Sequence, residues 1–108
     1  MATWQERFLL RCAEVDGASI GGGAFGAAMG IWVGTREVAH FDDEQSLDVR
    51  LTRQVIRQRR DEFRADERVT FRPSTSDWIE AEVHETDVEW AAGLVAVAIA
   101  ANRPVTLG

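Results

Sequence analysis

His40 and His84 are the only imidazoles in this 108-residue chain, and Cys12 is its only thiol. Chemistry that needs a titrating nitrogen or a thiolate therefore has three side chains to draw on. His40 is followed by Phe41, Asp42, Asp43 and Glu44, and carboxylates that close favour the protonated ring. In a functional reading His40 is the titrating group and Asp48 its orienting carboxylate or ion-pair partner. The plainer reading of His40, a hydrogen bond that closes the end of its strand, ranks ahead of it. No pair of His and Cys residues has metal-ligand spacing, so no metal site is expected. Cys12 falls on an apolar helix stripe with no His or Lys beside it, as a small buried hydrophobe would.

Arginine supplies all twelve basic residues, against 18 acidic ones, for a net charge of -6. That balance argues against general nucleic-acid binding, which needs a basic footprint. Arg50 and Arg53 stand where a strand passes into a helix, so helix-start amides could add to anion binding there. At about 100° per residue, Arg53, Arg57, Arg60 and Arg64 form one stripe of a helix over 52–64, opposite Leu51, Val55, Ile56 and Phe63. Asp61, Glu62, Asp66 and Glu67 are near enough in sequence to neutralise the stripe, which then reads as a solvated face. Arg59 alone projects on the apolar side and must snorkel to the edge or pair with a carboxylate.

Two other patterns carry little chemistry. Residues 21–26, Gly-Gly-Gly-Ala-Phe-Gly, match G-x-G-x-x-G formally, but the strand before them is short and the residues after them read as another strand, which suits a turn better than a phosphate loop. No Ser, Cys or Thr lies in a nucleophile motif, so acyl transfer has no support. The sequence carries no catalytic signature and implies no cofactor.

The elements that must position these residues are legible in the patterning. Thr3-Trp4-Gln5-Glu6 is a capping box opening a first helix that ends near Asp16 and Gly17. Glycine-punctuated apolar runs over 18–20, 27–33 and 37–41 read as strands, with the turn at Gly34. Leu47, Val49 and Leu51 alternate with Asp48 and Arg50, as in a half-buried strand. Residues 69–72 and 78–83 read as a hairpin whose symmetric closure sets Phe71 against Ile79 and Val69 against Ala81, with Arg72 opposite Trp78, Thr70 opposite Glu80 and Arg68 opposite Glu82. Thr86-Asp87-Val88-Glu89 is a second capping box, opening a helix that Pro104 stops.

Together these predict one domain over 1–108, an α+β two-layer sandwich with an antiparallel sheet of about four to five strands and three helices, α-β(3)-α-β(2)-α. Three helices cover one sheet face, so Asp48, Arg50, Arg72, Trp78, Glu80 and Glu82 are expected on the other. The uncharged segment 90–102 makes a helix apolar on nearly all sides, to be covered by the sheet and first helix or by a second copy of the chain. It is too short to span a bilayer, and the N-terminus has no signal-peptide pattern, so a cytoplasmic location is expected.

Arg36-Glu37-Val38-Ala39-His40-Phe41, then Ser46-Leu47-Asp48-Val49-Arg50-Leu51-Thr52-Arg53, then Arg72-Pro73-Ser74-Thr75-Ser76-Asp77-Trp78-Ile79-Glu80 resemble a family of small bacterial and archaeal proteins. These are known as luciferase-like or luciferase domain-containing, and their function is essentially unknown. The likeness covers about residues 25–102. Many relatives carry a histidine-rich stretch where this chain has Asp42, Asp43 and Glu44. The label implies no light-producing activity, since flavin-dependent luciferases are large barrels. In order of elements the chain is also similar to YjbR/MmcQ-like proteins and, more distantly, to secretion chaperones, which implies a two-layer sandwich.

The resulting expectation is a small ligand- or protein-binding module. His40 would be its titrating group, with Asp48 beside it, Arg50 and Arg53 its anion binders and Trp78 a stacking wall. Two alternatives stand beside it: an enzyme using His40 and Asp48 in acid-base chemistry on a small anion, and a homodimeric chaperone-like scaffold joined through the helix over 90–102.

Overall fold

A computed structural model describes residues 3–22, 29–73 and 75–104. The first helix, α1 (Trp4–Ala13), starts where Thr3 Oγ1 accepts the Glu6 amide, as the capping box requires, and it buries Phe8 and Cys12. Four strands come next: β1 (Ala18–Gly21), β2 (Gly30–Val33), β3 (Arg36–Phe41) and β4 (Ser46–Arg50). Gly34, at φ 60°, supplies the left-handed residue of the β2–β3 turn. Most of the G-x-G-x-x-G match and the first part of the strand expected over 27–33 lie outside the described residues.

The helix expected over 52–64 is two, α2 (Arg53–Gln58) and α3 (Arg60–Arg64), divided at Arg59 with φ -107° and ψ 15°. The break has a physical reason. An unbroken helix would hold Arg59 among the apolar residues, whereas the broken one buries Ile56 and Phe63 and leaves the guanidinium part-exposed, 3.5 Å from Glu62. The hairpin β5 (Val69–Phe71) and β6 (Trp78–Glu82) has the register read from the sequence, with Val69 against Ala81 and Phe71 against Ile79.

The last helix, α4 (Val88–Asn102), begins later than its expected capping box. Asp87 accepts the His84 amide at 3.1 Å, and a 3-10 turn over Glu85–Asp87 leads into the helix. The reciprocal cap is thus shifted two residues upstream of Thr86, because Asp87 reaches backward to the strand end.

The fold is α+β, with six antiparallel strands in the order β1-β2-β3-β4-β6-β5 and four helices, rather than four to five strands and three helices. The difference comes from the divided middle helix and from a fourth strand before it, the short edge strand β1 counting in full. Helices α1 and α4 pack on each other and against β1 to β4, burying Val33, Leu47, Val49, Val95, Ala98 and Ile99 between them. That coverage accounts for the uncharged stretch 90–102 of α4 within a single chain. Asn102 fastens its end to β4, donating Nδ2 to the Arg50 carbonyl at 2.7 Å. Among the described residues, no helix is long and apolar enough to cross a membrane.

Candidate functional site

On the sheet face turned away from α1 and α4, β3 and β4 pair so that His40 lies directly opposite Asp48. Arg50 on β4 lies opposite Trp78 on β6, and Asp48 opposite Glu80. Alternation alone explains this line of side chains. It does not explain Glu37, which stands an odd number of residues from His40 and would face the core in a regular strand.

A β-bulge resolves this. The β2–β3 register slips between Ile31 and Trp32, so that Ile31 faces Ala39 but Trp32 faces Glu37. Val38 and Ala39 are both fully buried on the core side, and Glu37 and His40 emerge together on the other. The Glu37 carboxylate lies over Gly30, where an added Cβ would collide with it. Gly30 is therefore a close-approach glycine. Glu37 is buried there, with Oε1 2.8 Å from His40 Nδ1.

The other ring nitrogen faces two aspartates. His40 Nε2 is 3.2 Å from Asp48 Oδ2 and 3.3 Å from Asp42 Oδ1. Asp42 is placed by the β3–β4 turn, where Asp43 Oδ1 accepts the amides of Gln45 and Ser46, each at 2.8 Å. Arg72 reaches over from the end of β5. Its guanidinium donates to Asp48 Oδ1 at 2.8 Å and lies 4.0 Å from Asp42 Oδ2. Burial, and after it the hydrogen bond with Asp42, push the Asp48 carboxyl up to about 6 against the lowering effect of Arg72.

Trp78 closes one side. Its ring centroid is 5.5 Å from that of His40 and 5.8 Å from the Arg50 guanidinium. Arg50 Nε is buried without a hydrogen-bond partner among the described residues. The helix start offers less than the sequence promised. Asp77 accepts the Arg53 amide at 3.0 Å and lies within ion-pair distance of both Arg50 and Arg53, so this carboxylate already occupies the start of α2.

Beyond Trp78 lies a cleft of about 410 Å3 between α2, α3 and the β5–β6 loop. Its basic lining is Arg53, Arg57, Arg60, Arg64 and Arg72, and its apolar lining includes Ile56, Phe71 and Trp78. The expected neutralisation of this stripe does not occur. Glu62 pairs with Arg59 and Asp66 with Arg68, while among the described residues Arg57, Arg60 and Arg64 make no ion pair.

No protein-family model, curated protein or solved structure matches this chain.

The structure thus brings His40, Asp48 and Trp78 into one cluster with Arg50 at its edge, and sets Arg53 in the cleft wall. Sequence reasoning missed Glu37, Asp42 and, of the cleft arginines, Arg57, Arg60 and Arg64 as site residues. Glu37 was hidden by its odd spacing, and these arginines by nearby acids, of which Glu62 and Asp66 turn out to pair with Arg59 and Arg68. Asp42 was visible only as a member of an acidic run.

Proposed function

We propose that this protein is a binding module for a small polyanion carrying a flat apolar group, held in the arginine cleft with that group against Trp78. One observation carries the reading. In a chain of net charge -6, Arg57, Arg60 and Arg64 line a common cleft and make no ion pair among the described residues. Guanidinium groups match phosphate and carboxylate oxygens in fork geometry, and a cleft of about 410 Å3 is in the range of small-molecule sites. Of the two arginines expected to bind an anion, Arg53 lines this cleft and Arg50 lies behind it against the Trp78 ring. The luciferase-like resemblance supports the same segment, since its pattern spans Arg50, Arg53, Arg72 and Trp78.

The test is thermal stability measured against inorganic phosphate, pyrophosphate and aromatic carboxylates. A ligand at 100 times its Kd stabilises the folded chain by about 2.7 kcal/mol, which shifts Tm by several degrees. Arg57→Ala with Arg60→Ala abolishes the shift, and Arg11→Ala, outside the cleft, leaves it. Equal shifts in all three proteins would refute the cleft as the binding place.

The rival reading, an enzyme built on His40 and Asp48, has geometric support in their 3.2 Å approach. It requires turnover of a bound anion that disappears in His40→Gln while binding is retained.

A further inference from the structure

We infer that His40, Asp42 and Asp48 bind a divalent first-row transition metal, with Glu37 and Arg72 orienting the ligands from behind. This site adjoins the arginine cleft through Arg72 and Trp78, but its ligands are not cleft residues and it does not depend on the cleft being occupied. One donor atom from each of the three residues lies within 4.8 Å of the others. A metal bound to imidazole nitrogen and carboxylate oxygens at about 2.0–2.2 Å holds neighbouring ligand atoms roughly 3.0–3.5 Å apart. His40 Nε2 is 3.2 Å and 3.3 Å from the two aspartate oxygens.

The surroundings supply separate support. Each aspartate turns one oxygen to His40 Nε2 and the other to Arg72: Asp48 uses Oδ2 and Oδ1, and Asp42 uses Oδ1 and Oδ2. The guanidinium thereby fixes both carboxylates with one oxygen free for a cation. On the opposite side of the ring, Glu37 Oε1 holds Nδ1 at 2.8 Å. That contact commits the Nδ1 proton and aims the Nε2 lone pair at the aspartate oxygens. Carboxylate, histidine and metal in that order form the usual outer support of metal-bound imidazole.

Charge points the same way. Asp42 and Asp48 face His40 Nε2, and the Arg72 guanidinium is ion-paired with both. Two carboxylates against one guanidinium leave a negative charge that a divalent ion offsets. The mixed nitrogen and oxygen donors favour Zn2+, Mn2+ or Co2+ over Mg2+ or Ca2+, which prefer oxygen alone. Asp42 is about half exposed, so the ion has an entry path and positions left for water or a ligand.

The full chain, stripped with EDTA, is titrated with Zn2+ while the two imidazole rings are followed by NMR. His84, which contacts Glu82 and Gln45, is the internal control, so the first readout needs no variant. The His40 ring resonances shift with Zn2+ and those of His84 do not. Zn2+ raises Tm, an effect lost in Asp42→Asn with Asp48→Asn, and Glu37→Gln weakens Zn2+ binding about 10- to 100-fold. Arg57→Ala with Arg60→Ala keeps the metal response, which separates this site from the cleft. The assignment is overturned if neither ring responds, if both respond alike, or if Mg2+ or Ca2+ raises Tm as much as Zn2+.

Discussion

Arg68 ties three elements of the fold together. Its Nε and one terminal nitrogen grip both oxygens of Asp66 at 2.9 and 2.8 Å, and the other terminal nitrogen donates to Asp87 at 2.8 Å. The guanidinium also lies 3.7 Å over the Trp90 ring. One residue thus joins the end of α3, the start of β5 and the start of α4. The hairpin register set Arg68 opposite Glu82, and it does meet Glu82 through its backbone carbonyl, but its side chain turns away. Arg68→Ala should cost about 2 kcal/mol at pH 7, from charge-assisted hydrogen bonds and a cation-π contact at a partly solvated place. The hydrogen bond from Arg68 holds the Asp66 carboxyl below its ordinary 3.8. A depressed carboxyl contributes stability that is present above the unfolded value and is lost as pH falls through the folded one. Urea melts at pH 7 and pH 3 should therefore show a smaller acid loss in Arg68→Ala than in the unmodified chain, and equal losses would contradict the argument. Single residues were legible in the sequence where type and alternation agree, as for Asp48 and Trp78. They were illegible where a partner was chosen by distance alone, as for Glu62 with Arg59.

Among the elements, the passage from β4 into α2 carries visible strain. Thr52 has φ 80° and ψ 149°, a left-handed backbone that a β-branched residue rarely adopts, and its Oγ1 accepts the Val55 amide at 3.4 Å. The conformation turns the chain sharply enough for the Thr52 amide to reach the Asp77 carbonyl at 2.9 Å, tying the helix start to the hairpin loop beside the cleft. Thr52→Gly removes a backbone cost of about 1–3 kcal/mol, and loses a few tenths from the cap and under about 1 kcal/mol of backbone entropy. Chemical denaturation should find the variant more stable by about 1 kcal/mol. A less stable variant would mean that the cap outweighs the strain. The strands, their pairing in the hairpin and the first helix were readable because hydrophobic period and turn residues agree. The break at Arg59 was not, because helical spacing assumes the continuity that one misplaced guanidinium removes.

For the molecule as a whole, charge is segregated rather than mixed. Glu62 and Asp66 engage Arg59 and Arg68 away from the cleft, and Asp42 and Asp48 gather around His40, which leaves Arg57, Arg60 and Arg64 without an ion pair among the described residues of an acidic protein. An apolar helix such as α4 invites a partner, yet its exposed positions are few and small: Glu89, Gly93, Ala100 and Ala101. A dimer seated on that helix would have little apolar area to bury. Ala101→Arg should leave the sedimentation coefficient unchanged, and a drop toward a lighter species would establish that helix as an interface. Layer architecture and the covered face were foreseeable from periodicity. Which charges neutralise which depended on the tertiary arrangement.

The bulge in β3 makes the pairing of Glu37 with His40 a matter of counting rather than of residue type. Two side chains three apart in a strand share a face only when one extra residue lies between them. Without Val38 the strand would be regular: Trp32 would still face Glu37 and Ile31 would still face Ala39, and Glu37 and His40, now two apart, would remain on one face. One residue of the 38–39 pair is therefore removable in a way that no other residue of β3 is, since a loss elsewhere in the strand shifts Glu37 or His40 out of line. Its worth lies on the other side of the sheet, where it adds a second buried side chain beside Ala39. A chain of this kind can thus read Glu-x-x-His or Glu-x-His here and hold the same two groups together, so that length variation at 38–39 alters the core while the polar cluster persists.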